Sequence, residues 1–107
     1  MTRDEKRERL GRLADDIEAE LRSIWWDPNP PSEEEVVAGG AFGQNSVAFE
    51  TWLQVIFIRR LRQVASGELA IPESSSVAVK AAREWDGVPG RDRLSELIQD
   101  VDRIVAS

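Results

Sequence analysis

The sequence predicts an all-α protein, a small four-helix bundle around one buried central helix. Apolar residues recur at helical spacing in four separate stretches, and no stretch alternates in the manner of a strand. In addition, residues 42–61 are apolar well beyond a single stripe. Phe49, Trp52, Leu53, Val55, Ile56, Phe57 and Ile58 lie almost all round a helix, which must therefore be surrounded by the others.

The first helix is expected from Arg3 to about Trp25, with Leu10, Leu13, Ile17, Leu21 and Ile24 on one stripe. Glu5 and Arg9, Glu8 and Arg12, and Glu18 and Arg22 stand four apart in the favourable order on its solvated faces. Asp27-Pro28-Asn29-Pro30-Pro31 stops it, because proline lacks the amide donor and disfavours the helical region in the residue before it. Ser32 followed by Glu35 reads as a capping box for one or two turns ending at Gly39-Gly40. The central helix is expected to be capped by Asn45-Ser46 and to run to about Ala65, with Gly67 ending it.

A third helix follows the serines at 74–76, with Val77, Ala78, Ala81, Ala82 and Trp85 on its apolar face. Pro89 is placed at the first position of a last helix striped with Leu94, Leu97, Ile98, Val101, Ile104 and Val105. The unusual feature is the long Pro- and Gly-containing join after the first helix. Its Val36, Val37 and Phe42, with Trp25 and Trp26 before it, suggest that it folds back over the bundle.

At 107 residues the chain has room for one domain, residues 1–107, and one core. Its net charge of −6 favours solubility and disfavours unaided binding to nucleic acid or an anionic membrane. It has no cysteine and no histidine, which excludes disulfides, thiolate metal sites and the commonest catalytic triads, and no cofactor is expected. Residues 2–13 are charged throughout and lack the apolar core of a signal peptide, so a cytoplasmic location is expected.

Ala41-Phe42, Asn45-Ser46, Phe49, Trp52-Leu53-Gln54, Ile58 and Arg60-Leu61 together resemble the YqcC-like family of small bacterial proteins. The likeness extends weakly to Trp25 or Trp26, Ile71-Pro72 and Asp102. The resemblance implies an all-helical bundle and brings no established activity or catalytic residue. Members of that family tend to be encoded beside a tRNA pseudouridine synthase. This chain departs from the family pattern at Ala41, at Asn45 and at Arg59; the last stands where the family carries a helix proline, restores a backbone donor and is expected to straighten a kink.

The candidate interaction surface is Trp25, Trp26, Phe42, Gln54, Arg59, Arg60 and Arg62. Four tryptophans exceed what so small a core needs, and tryptophan with arginine is the pairing enriched at interface hot spots. No acidic residue occurs between Glu50 and Glu68, so the three arginines are expected to pair with acids of neighbouring helices. Gln54 interrupts the apolar run, and a buried amide left unpaired costs about 1 to 3 kcal/mol, so it is expected to bind the backbone of the long join or to face a groove. Glu50, Glu84 and Asp102 are the remaining candidates for chemistry, and spacing does not bring them together. The expected function is a protein-binding or adaptor module, not an enzyme. The alternatives are an accessory to a tRNA pseudouridine synthase and a small-ligand-binding bundle.

Overall fold

The computed structural model describes residues 1–42 and 47–107, and the regular structure among them is helical. Helix α1, Arg3–Ile24, is capped by Thr2, whose Oγ1 accepts the Glu5 N–H at 3.1 Å. The predicted pairs Glu8–Arg12 and Glu18–Arg22 form at 3.1 and 3.0 Å. Leu10, Leu13, Ala14, Ile17 and Leu21 make the buried stripe, and the backbone turns extended at Trp25.

Helix α2, Glu33–Phe42, starts from the two residues of the expected capping box, joined through the Ser32 hydroxyl. The Glu35 N–H donates to Ser32 Oγ at 3.1 Å, and that hydroxyl donates to Glu35 Oε1 at 3.2 Å. It does not stop at Gly39-Gly40 as expected, and with it the described residues form five helices rather than four. A glycine inside a helix costs only about 1 kcal/mol relative to alanine, which weakens a helix without ending it. Val37, expected to fold inward, is 56 % exposed; Val36 is the buried one.

Helix α3 covers residues 49–65 in three continuous sections: Phe49–Trp52 is α-helical, Leu53–Phe57 π-helical and Ile58–Ala65 α-helical. The junction residues Trp52 and Ile58 keep right-handed helical dihedrals, so the chain does not break. The Ile58 N–H reaches back five residues to the Leu53 carbonyl. This π turn stands just before Arg59, which lies in the α-helical section that follows. The extra residue rotates the later turns of the helix by about 100°, one residue's turn of an α-helix. Val55, Ile56, Phe57 and Ile58 are buried in succession, the first two in one apolar cluster and the last two in another. The expected cap, Asn45-Ser46, lies outside the described residues, and Ala48 precedes α3 without a side-chain cap. Gly67, at φ +86°, supplies the left-handed residue that ends the helix.

Helix α4, Val77–Glu84, is not capped by the serines on their own. Asp102, from the last helix, accepts the N–H groups of Val77 at 3.3 Å and Ala78 at 2.8 Å and also binds the Ser75 hydroxyl. Helix α5, Asp92–Ala106, begins three residues after Pro89 rather than on it. Gly90 takes φ +79°, outside the helical region, so no helix can pass through it from Pro89.

The main core gathers the α1 stripe, the inner residues of α3 and the α5 stripe, with Leu10, Ile17, Leu21, Leu53, Leu94, Ile98 and Val101 fully buried. Helix α1 runs so close to α3 that a Cβ on Gly11 would meet the Ala65 Cβ at 3.2 Å. Helix α4 lies on α5 and closes the core with Ala81 and Trp85. A second, smaller cluster forms on the outer side of α3, where Val55 and Ile56 pack with Val36 of α2. Trp52 touches both clusters.

Candidate functional site

An open groove of about 790 Å³ runs along the outer side of α3, between the end of α1 and the Pro-rich join. Its lining includes Val55 and Ile58, which are buried, along with Trp26 and the prolines Pro30 and Pro31. Charged and polar groups contributed by α1, α2 and α3, among them Glu18, Glu33, Arg59 and Arg62, line it as well. The helix end at Ile24 places Trp26 here, because the extended backbone at Trp25 turns the join back across α3.

Gln54 fixes that course. Its Oε1 accepts the Asp27 N–H at 3.1 Å and its Nε2 donates to the Asp27 carbonyl at 2.8 Å, so both ends of the amide are satisfied by one residue of the join. The expectation that this amide binds the backbone of the join is met. Asp27 in turn accepts the Asn29 N–H at 2.9 Å, which tightens the turn ahead of the prolines.

The arginines are paired as expected. Arg62 donates to Glu18 at 2.8 Å and to Asp15 at 2.9 Å, tying α3 to α1. The hydrogen bond from Arg62, with that from Arg22, holds the Glu18 carboxyl below its ordinary pKa against the opposing effect of burial. The bond that Arg62 donates to Glu18 raises the Arg62 pKa in turn. Arg22, bound to the other oxygen of Glu18, lays its guanidinium 3.9 Å from the centre of the Trp26 ring. Asp15, Arg62, Glu18, Arg22 and Trp26 therefore form one continuous chain from α1 to the join. On the other flank Glu33 of α2 takes both Arg59, at 3.2 Å, and Arg60.

Of the seven candidate residues, Trp26, Gln54, Arg59 and Arg62 are brought together in the groove lining. Arg60 stands beside it, bound to Glu33 and to Gln63 at 3.1 Å. Trp25 packs against the main core and does not line the groove. Phe42 is the last residue of α2, and its side chain lies outside the described residues. Sequence reasoning missed Glu18 and Glu33 as specific partners. The acid-free run after Glu50 signalled that counterions were needed but not which helix would supply them.

The carboxylates weighed for chemistry have separate structural engagements. Glu50 pairs with Arg91 at 3.1 Å in a mostly buried bridge, Asp102 caps α4, and Glu84 is exposed on α4. Within the acidic triplet, Glu33 holds two arginines and Glu35 belongs to the capping box. A second hollow, about 680 Å³, lies over Leu13 and Ile104 between α1 and α5 and contains none of the candidate residues. Among the described residues no helix is long and apolar enough to cross a membrane.

Comparison with known proteins gives one curated relative to set beside this geometry. A protein named tRNA pseudouridine synthase C from Pectobacterium carotovorum subsp. carotovorum is 34 % identical over 79 residues, which is 73 % of this chain and 21 % of the relative. The chain thus spans about a fifth of that protein's length. No solved structure matches. The DUF446 family model, described as tRNA pseudouridine synthase C, matches residues 9–104, nearly the whole bundle, and the chain belongs to that family.

Proposed function

We propose that this protein is a non-catalytic accessory module that binds a tRNA pseudouridine synthase, and that the groove on the outer side of α3 is its docking surface. The observation that carries the reading is the relative in which a segment similar to this bundle makes up about a fifth of a longer chain bearing the synthase's name. A module carried within an enzyme's own chain is well suited to assist that enzyme when it is a separate one. The resemblance to the YqcC-like family, whose members are encoded beside such a synthase, points the same way.

The geometry supports docking of protein over binding of a small molecule or of RNA. The groove is open rather than enclosed, and the amide of Gln54 is already committed to Asp27. Three arginines matched to Asp15, Glu18 and Glu33 on a chain of net charge −6 offer little to a phosphate backbone. Apolar floor, tryptophan wall and arginine rim instead have the composition of an interface hot spot. The engagement of Glu50 and Asp102 in fold-holding contacts supports a non-catalytic role.

The test is calorimetric titration of the full chain with the synthase of the same host, and separately with tRNA alone. Binding to the enzyme and none to tRNA alone is expected. Trp26→Ala should weaken it by about thirtyfold, the usual consequence of truncating a hot-spot tryptophan. No binding to the synthase, or a Trp26→Ala variant that folds and binds as the wild type does, would overturn this reading.

A further inference from the structure

The docking surface described above carries a difficulty, since Arg59 and Arg60 are both occupied by Glu33 of α2 and Val36 packs on the apolar pair Val55 and Ile56. We propose that α2 is a removable cover, and that the face of α3 beneath it, formed by Val55, Ile56, Arg59 and Arg60, receives a helix of the synthase that carries a carboxylate three positions before an aliphatic side chain. The proposal rests on the reading of the protein as a synthase-binding module and specifies what that module recognises.

The seat of α2 shows the chemistry this face accepts. Glu33 reaches Arg59 and Arg60, while Val36, three residues later, packs on Val55 and Ile56, one turn earlier in α3. The two helices therefore run antiparallel, a carboxylate meeting the arginine pair and an aliphatic side chain meeting the apolar pair.

Helix α2 suits this face less well than the face would suit a dedicated helix. Its residues Glu34, Glu35, Val37 and Ala38 are exposed. Of its described side chains Val36 is the buried one. The arginines that hold Glu33 are themselves exposed, and exposed ion pairs are weak enough to exchange. The amide of Gln54 anchors the join upstream at Asp27, so α2 can leave its seat while Trp26 and the prolines stay in place. Departure of α2 uncovers Val55 and Ile56 beside two freed guanidinium groups. A helix that binds only the uncovered state competes with α2, and its apparent affinity is reduced by the fraction of molecules that are covered.

Competition gives the two halves of one ion pair opposite effects, which a purely structural bridge cannot do. In titrations of the full chain with the host synthase, Glu33→Ala should tighten binding about three- to tenfold by freeing the arginines and the face. Arg59→Ala with Arg60→Ala should weaken it by tenfold or more. Glu33→Ala binding equal to or weaker than wild type would overturn the cover. Hydrogen exchange gives a readout that needs no partner: the amides of residues 36–38 should exchange at least about a hundredfold faster than those of Ile17 and Leu21 in α1, and faster still in Glu33→Ala. Equal protection in the two helices would overturn the proposal. If wild type and Glu33→Ala both fail to bind the synthase, the functional reading falls, and the exchange measurement alone decides whether α2 opens.

Discussion

On its inner side α3 meets α1 and α5 through Leu53, Phe57, Ile58, Leu61 and Val64, in a cluster that contains all the fully buried large side chains of the described structure. On its outer side Val55 and Ile56 meet Val36, with Val47 and Trp52 partly covering them. The residue types on the two sides are nearly the same. The supporting structure is not: the inner side is walled by helices of 22 and 15 residues, the outer side by one of 10 in which Glu34, Glu35, Val37 and Ala38 are exposed. The contrast teaches that hydrophobicity along a helix records how much of it is covered and leaves open how firmly each covering is held.

The most direct way to break this comparison is to cut a side chain from each side. Leu53→Ala should destabilise by about 2 to 5 kcal/mol in urea unfolding, because Leu53 is wholly enclosed and its removal leaves a cavity that the surrounding helices cannot fill. Ile56→Ala should cost less than Leu53→Ala by about 1 kcal/mol or more, since the thinly covered outer cluster can relax into the space. Equal costs would show that the two sides are equally packed.

Asp102 tests the inner side from its edge. It provides from α5 the cap that the serines before α4 do not supply, and removing it leaves the Val77 and Ala78 N–H groups without their acceptor. Asp102→Ala should therefore cost about 1 to 3 kcal/mol, with partial recovery in Asp102→Asn, whose amide oxygen can still accept. Faster amide exchange confined to α4 would locate the effect. Loss of the cap without any change in α4 would show that α4 is held by packing alone.

These residues also mark how far the sequence could be read. The all-helical fold, the α1 stripe, the capping box at Ser32 and the ends of α1 and α3 follow from periodicity, proline and glycine, which act within a turn or two of themselves. The cap from Asp102, some 24 residues from the amides it serves, could not be seen this way, because it depends on how α5 lies on α4. Nor could the π turn, for Leu53–Phe57 is apolar apart from Gln54 and fits either helix type. At the candidate site, Gln54 was legible because a lone amide in an apolar run demands a partner. Trp25 and Trp26 are adjacent and alike in sequence and both pack against the main core, and only the course of the chain after α1 brings Trp26 into the groove lining as well.

Val36 sharpens the outer half of the comparison. Val36→Ala removes about two methyl groups from a cluster of three buried residues, so global stability should fall by roughly 1 kcal/mol or less while exchange at the α2 amides accelerates much more. A global loss as large as that of Leu53→Ala would make α2 part of the same cooperative unit as α1 and α5.

The smallest effect concerns the charges that join α1 to α3. Hydrogen bonds from Arg62 and Arg22 hold the Glu18 carboxyl below the ordinary 4.5 of a glutamate. A carboxyl whose pKa is lowered by folding stabilises the folded state above its unfolded pKa, and that contribution is lost as the pH falls through the folded value. Arg62, raised rather than lowered, stays charged throughout and adds no step of its own. Because the pair is largely solvated, its worth is at most about 1 kcal/mol. Wild type should therefore exceed Glu18→Gln by a few tenths to about 1 kcal/mol near pH 7, and the gap should close as the pH falls through the lowered folded value of Glu18 and narrow in high salt. Glu18 bridges the long helix α1 to α3, so the loss should appear in the global unfolding transition and leave the relative exchange of α2 unchanged. A gap that persists at low pH would mean that the Glu18→Gln substitution disturbs packing around Trp26 rather than the ion pair, and acid-induced opening confined to α2 would place the sensitive contact on the outer side instead.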